Sequence, residues 1–212
     1  MQMRMTTDHQ LLAAWRAGDP NAGEKLFERH YDAIARFFHN KAGEQAPDLI
    51  QKTFLVCIEA HEKLREDTRF RAFLFGIARN VLYDHFRKRR RHDDRIDFGA
   101  RSVEDMGPTP TSMIAREQEI QLLMHALRKI PLDYQVILEL YYWESMSARE
   151  LSEALEIPEG TARTRLRRAR QLLDREIKRL ARSPHLLQST ISDMESWVSR
   201  IRGYFGTPGD RT

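Results

Sequence analysis

SARELSEALEIPEGTARTRLRRARQ, residues 147–171, contains two short helices and the turn that joins them. Ser147-Ala148-Arg149-Glu150 has the S-x-x-E form of a capping box, in which the serine hydroxyl and the glutamate carboxylate satisfy free backbone amides at a helix start. The helix runs to about Leu155, a turn follows through Glu156 and Ile157, and Pro158 falls at a first-turn position where its missing N–H costs nothing. In the second helix Ala162, Leu166, Ala169 and Leu173 make a buried stripe. Helical geometry then places Thr164, Arg167, Arg168 and Gln171 on the opposite side, with Arg163 beside them. A cationic helix face by itself is ordinarily a solvated surface. Here it follows a capped helix and a tight turn, the arrangement that presents the start of a second helix to base edges in the major groove. The expected pattern is a DNA-binding helix-turn-helix. Arg165 and Arg170 flank the apolar stripe and are expected at phosphates, or in ion pairs with Asp174 and Glu176.

Outward from this stretch the chain reads as all-α. A helix is expected over Met113 to Lys129, and Pro131 starts another whose buried face is Tyr134, Ile137, Leu138 and Tyr141, so that residues 113–182 form one small domain. Residues 92–112 carry Asp93, Asp94, Asp97, Glu104 and Asp105 against Arg95 and Arg101, and Gly107, Pro108 and Pro110 break any helix there. This segment is expected to be a flexible acidic linker. Residues 8–91 make the first domain, a helical bundle. Its first helix starts at Asp19-Pro20 with a stripe of Leu26, Phe27, Tyr31, Ile34, Phe37 and Phe38. A second helix covers Asp48 to Ala60, and a third carries Phe70, Phe73, Leu74, Ile77, Val81 and Leu82. It ends in Arg87-Lys88-Arg89-Arg90-Arg91, a run open to three readings: a phosphate patch, a membrane-surface patch, or charge favourable to the helix dipole.

Composition removes several classes of function. Lys and Arg exceed Asp and Glu by only 35 to 31, so the basic character is a matter of placement rather than of amount. No stretch approaches the roughly 20 apolar residues that span a bilayer, so membrane insertion is not expected. Met1 to Gln10 lack a secretory core and cleavage site, which gives the expectation of a cytoplasmic protein. Cys57 is the one cysteine, which excludes an internal disulfide and a Cys-rich zinc site, and the histidines lack paired ligand spacing, so no metal or other cofactor is expected. There is no glycine-rich phosphate loop, nucleophile elbow or shared-face carboxylate cluster, and an enzyme is not expected.

Two segments, taken together and in order, resemble the extracytoplasmic-function sigma factors of bacterial RNA polymerase. The first is Asp48-Leu49-Ile50-Gln51-Lys52-Thr53-Phe54, then Phe70-Arg71-Ala72-Phe73-Leu74-Phe75-Gly76-Ile77-Ala78-Arg79-Asn80 and Asp84-His85-Phe86-Arg87, similar to sigma region 2. The second is Leu127-Arg128-Lys129-Ile130-Pro131, Glu150-Leu151-Ser152, Gly160-Thr161-Ala162-Arg163-Thr164-Arg165-Leu166 and Arg168-Ala169-Arg170, similar to sigma region 4. Together they cover roughly residues 8 to 180.

The resemblance implies a factor that binds core RNA polymerase and directs initiation at promoters, in response to a stress or envelope signal. Asp48, Gln51 and Phe54 would grip the clamp coiled coil of the β′ subunit, Phe54 being open also to a plain core role. The loop Glu62 to Arg69, with Arg65, Asp67, Thr68 and Arg69, would capture an unstacked base of the minus-10 element. Asn80, Arg87, Lys88 and Arg90 would touch the promoter strand and its phosphates. In region 4, which would also meet the β flap, Arg163, Thr164, Arg167 and Arg168 would read the minus-35 element with Gly160 and Thr161 near the backbone. An anti-sigma factor is a further candidate partner, and the acidic linker would run toward the RNA exit path.

There are two departures from the family pattern. Ala162 stands where the family usually has valine, and residues 183–212 have no counterpart in a minimal member. Leu187, Ile191, Met194, Val198, Ile201 and Phe205 are spaced four, three, four, three, four, which predicts an amphipathic helix with one apolar face. It would either dock as a regulatory element or extend the second domain's core. The alternative function is a helix-turn-helix repressor or activator that binds an operator as a dimer; residues 48 to 91 argue against it.

Overall fold

The computed structural model describes residues 6–64, 69–90 and 118–180. The expectations for Arg65, Asp67, Thr68 and Arg91, for the 92–112 linker, for the helix start at 113–117 and for the 183–212 extension lie outside the described residues. Within them the regular elements are eight α-helices and two short 3-10 turns.

The first four helices are α1 (Asp8–Arg16), α2 (Pro20–Ala42), α3 (Ala46–Ala60) and α4 (Phe70–Arg90). Contacts gather the chain into two units, Met1–Asp84 and His85–Thr212, a division that falls within α4. In α2 the side chain of Asp19 accepts a hydrogen bond from Asn21 N at 3.0 Å and Pro20 occupies the first turn, as the sequence predicts. α3 starts two residues before the expected Asp48, because Pro47 is itself a good first-turn residue. The apolar stripes of α2 and α4 meet in a core that includes Leu26, Ile34, Phe38, Leu74, Phe75 and Leu82. Tyr31 departs from the expectation: it lies at the edge of its stripe and is 50% exposed. Lys41 is buried at the end of α2, with Nζ donating to Phe37 O at 2.9 Å and lying 4.0 Å from the Phe37 ring centroid.

Sequence periodicity assigns no helix before Asp19, and α1 fills that gap. Thr7 and Gln10 form a capping box, with Gln10 N donating to Thr7 Oγ1 at 3.3 Å and Thr7 N donating to Gln10 Oε1 at 2.9 Å. Leu11 and Leu12 are buried, and Asp8 pairs with Arg29 and with His30 Nε2 at 2.7 Å. Burial alone would raise the Asp8 carboxyl, but the hydrogen bonds and charges of His30 and Arg29 outweigh it and hold the group below the usual carboxylate range. A depressed folded pKa stabilises the fold above the ordinary carboxylate pKa of about 4, and this stabilisation is lost as pH falls through the folded value. Asp8→Asn is therefore expected to cost about 1–2 kcal/mol at pH 7. In urea melts the difference from the parent chain should shrink as pH drops below about 4.

Cys57 is fully buried on α3, and burial pushes its thiol up to about 12. Against an ordinary thiol pKa of about 8.5, the thiolate fraction near neutral pH falls roughly 3,000-fold. Ellman's reagent at pH 8 should leave the folded chain unmodified and label it within minutes in urea.

The second unit contains α5 (Gln118–Lys129), α6 (Leu132–Tyr142), α7 (Ala148–Leu155) and α8 (Glu159–Leu180). α6 is enclosed nearly all round: Val136, Ile137, Leu138 and Leu140 are buried together with Gln135 and Glu139, whereas Tyr134 and Tyr141 are half-buried. A helix packed on several sides does not show a single apolar stripe, so the expected buried face was too narrow and placed its two tyrosines too deep. Gln135 is accommodated by donating from Nε2 to Ile130 O at 2.8 Å.

Candidate DNA and polymerase interfaces

The turn between α7 and α8 is built locally. Glu150 N donates to Ser147 Oγ at 3.3 Å and Ser147 N donates to Glu150 Oε2 at 2.9 Å, which completes the capping box. α7 ends at Glu156, whose φ of 53° places it in the left-handed region, and Ile157 N returns to Ser152 O at 3.1 Å. Ser152 Oγ also donates to Ile157 O at 2.6 Å. Pro158 stands one residue before the helix rather than in its first turn, and its carbonyl accepts from Ala162 N at 2.9 Å. The proline still has no N–H to satisfy there, which is why the sequence signal and the observed boundary differ by a single residue.

α8 is divided along its length. Ala162, Leu166, Ala169, Leu173 and Ile177 are buried, and Gly160, Thr161, Arg163, Thr164, Arg167, Arg168 and Gln171 are exposed. The exposed set contains all six α8 residues expected from the sequence to face the minus-35 element. Arg163 pairs with Glu159 one turn back, and Thr164 Oγ1 donates to Gly160 O at 3.0 Å. Gly160 has open space where a side chain would begin. The ion pairs expected of Arg170 are not formed. Lys178 takes Asp174 at 2.8 Å and Arg179 takes Glu176 at 2.8 Å, while the Arg170 guanidinium lies 4.9 Å and 5.3 Å from the ring centroids of Tyr141 and Tyr142. Planar guanidinium stacks on aromatic faces and keeps its charge, so Arg170 ties α8 to α6.

On α3 Asp48 and Gln51 are exposed, and helical spacing continues their face through Leu55 and Ile58, which are 53% and 46% exposed. The sequence reading names neither Leu55 nor Ile58. The available signal is the excess of apolar residues on α3, more than one core-facing stripe needs. Phe54 is half-buried beside this face, 4.8 Å from Phe27 and stacked on Tyr31 at 6.1 Å. On α4 and just before it, Arg69, Asn80, Arg87, Lys88 and Arg89 are exposed, and Asn80 Oδ1 accepts from Arg79 Nη2 at 2.9 Å. Of the expected minus-10 residues, Arg65 and Thr68 lie outside the described residues, and Arg90 is described only as the last residue of the helix. Among the described residues no group of three His, Cys, Asp or Glu could hold a metal ion, and no helix is long and apolar enough to cross a membrane.

Two family models match in chain order: Sigma-70 region 2 over residues 26–92 and Sigma-70, region 4 over residues 120–173, together more than half of the chain. The RNA polymerase sigma-H factor of Pseudomonas aeruginosa is 27% identical over 189 residues, covering 82% of this chain and 96% of the relative. The ECF RNA polymerase sigma-E factor of Haemophilus influenzae is 24% identical over 183 residues, covering 82% of this chain and 97% of the relative. The chain belongs to the extracytoplasmic-function sigma factors.

Solved structures agree on the fold. CnrH in complex with the cytosolic domain of CnrY superposes with a TM-score of 0.60 at 22% identity, covering 82% of this sigma factor and 99% of that chain. RpoE in complex with the anti-sigma factor NepR from Bartonella quintana gives 0.53 at 23% identity, covering 72% and 92%. As a sigma factor the chain works with core RNA polymerase and promoter DNA, and directs transcription initiation at promoters.

Proposed function

We propose that the exposed face of α8 reads the minus-35 element, with Arg163, Thr164, Arg167 and Arg168 at base edges and Gly160 and Thr161 against the backbone. The observation that carries this reading is the division of α8 itself: the residues that stay out of the core form one continuous polar, cationic face of the size a major groove admits. Arg65, Thr68 and Arg69 capture a base of the minus-10 element, and Asn80, Arg87, Lys88 and Arg90 hold the strand. Asp48, Gln51 and Phe54 contact the β′ clamp coiled coil, with Leu55 and Ile58 supplying apolar area on the same face, and region 4 meets the β flap. On this reading the domains are 8–91, 92–112, 113–182 and 183–212, in the roles of region 2, linker, region 4 and regulatory extension. The factor works in the cytoplasm, by binding rather than by chemistry, and is released by a stress or envelope signal. The two solved relatives were each captured with a partner, in one case an anti-sigma factor, which supports an anti-sigma factor as the partner that withholds this chain.

Run-off transcription with bacterial core polymerase and fragmented genomic DNA, comparing the full chain with one ending at Arg182, tests the reading. Discrete start sites sharing an upstream pair of elements are expected, with a rise on truncation if the extension is inhibitory. Operator-like binding to duplex DNA without any core-dependent start site would overturn it.

A further inference from the structure

We propose, resting on the reading of α8 as the minus-35 helix, that Arg170 is a positioning residue: a wedge that fixes the rotation of α8 about its own axis and does not itself touch DNA. By sequence Arg170 belongs with the other arginines of this helix, as a contact to phosphate or a partner for Asp174 four residues on. The structure gives it another place. Tyr141 and Tyr142, at the end of α6, meet edge to face with centroids 4.9 Å apart and planes at 89°, so their rings form a corner. The Arg170 guanidinium lies against both, 4.9 Å and 5.3 Å from the two centroids. The residue is half-buried, and its buried Nε has no hydrogen-bond partner among the described residues. Ring faces, not an acid, hold this charge.

The rest of the helix shows what such a wedge adds. The buried stripe of α8 alternates small and large side chains, Ala162, Leu166, Ala169, Leu173 and Ile177, and both alanines are wholly buried. Apolar burial is non-directional, and an alanine is too short to lock into the ridges of a neighbouring helix, so this stripe sets the distance of α8 from its support more tightly than its roll. Base reading needs the roll. A helix with its side chains is about 10–12 Å across, so a roll of about 10° carries its outer surface roughly 1 Å. A recognition site has to be held to within about 0.5 Å. Arg167 and Arg168 stand three and two residues before Arg170, within one turn of the wedge. A guanidinium seated in the corner of two rings is directional: rotating α8 one way lifts it from a ring face, and rotating it the other way drives it into one. The same seat removes Arg170 from the cations that meet phosphate.

The test uses holoenzyme reconstituted from core polymerase and the full chain, assayed at two salt concentrations on promoters that carry single substitutions in the minus-35 or in the minus-10 element. Arg170→Met keeps an unbranched apolar stem but loses the plane and the charge. Tyr141→Leu removes the nearer ring face, and Tyr141→Phe keeps it. Arg170→Met is expected to cut the ratio of cognate to substituted minus-35 transcription about tenfold, the worth of one well-placed arginine–guanine pair. Tyr141→Leu should move the ratio in the same direction and Tyr141→Phe should match the parent chain, with minus-10 ratios and the salt slope unchanged throughout. A salt slope lowered by about one in Arg170→Met, with every promoter weakened alike, would make Arg170 a phosphate contact and overturn the proposal. So would an unchanged minus-35 ratio, or a loss at both elements in step with a lower melting temperature, which is what a role in folding alone predicts. An Arg167→Ala, Arg168→Ala double variant separates the wedge from the reading it rests on. If that double variant leaves the minus-35 ratio intact, α8 is not the reading helix and the wedge falls with it. If it alters the ratio while Arg170→Met does not, only the wedge is wrong.

Discussion

A chain carrying Arg167→Ala and Arg168→Ala together is expected to lose at least about 30-fold in transcription from promoters that depend on their upstream element, because each well-placed arginine–guanine pair contributes about 1–3 kcal/mol. Both side chains are exposed on α8 and neither belongs to its buried stripe, so stability should move by no more than about 0.5 kcal/mol. Core polymerase binding should be unchanged. The single variants also separate two kinds of contact. A residue that reads a base relaxes preference at one promoter position, whereas one that holds a phosphate weakens all sequences alike and lowers the salt slope by about one. Run-off assays on a promoter library at two salt concentrations would distinguish these outcomes, and an unchanged upstream preference in the double variant would remove α8 as the reading helix.

Leu55→Glu is expected to have the opposite signature: core polymerase binding falls by about 100-fold or more while the isolated chain keeps its fold. Leu55 already faces solvent, so a carboxylate there costs the free chain little. In an interface the same change removes apolar burial of about 1.5–3 kcal/mol and brings an unpaired charge into a drying surface. Competition with a labelled sigma factor for core polymerase measures the loss, with thermal melting as the control for folding. Undiminished binding would move the polymerase surface away from α3.

The helix-turn-helix was legible because its signals are local. A capping box needs four residues, a turn needs a few more, and the alternation of buried and exposed positions along α8 follows from 3.6 residues per turn. The same short range explains what was missed. Nine residues of α1 carry too little periodicity to stand out, although Thr7 and Gln10 already mark its start. That Trp15 meets His61 is a fact of tertiary packing between residues 46 positions apart, and no spacing rule reaches it. α3 is apolar on more than one side, so its sequence cannot say which side the bundle takes, and Leu55 and Ile58 were found only once the core was seen. Arg170 illustrates a competition: the sequence offered Asp174 and Glu176, but Lys178 and Arg179 lie within one turn of those acids and take them, and a pair of tyrosines from another helix takes the arginine.

The lengthwise division of α8 bears on how such a protein can diverge. Five positions, Arg163, Thr164, Arg167, Arg168 and Gln171, point outward and take no share in the core, while the alternate positions close it. A duplicated copy can therefore change what its outward residues prefer without first surviving a loss of stability. On the proposed reading of α8, several copies in one cell can drift apart in upstream preference while each still folds and still docks on the same polymerase, so diverging regulons need no new scaffold, and a rewritten strip of this helix is enough to begin.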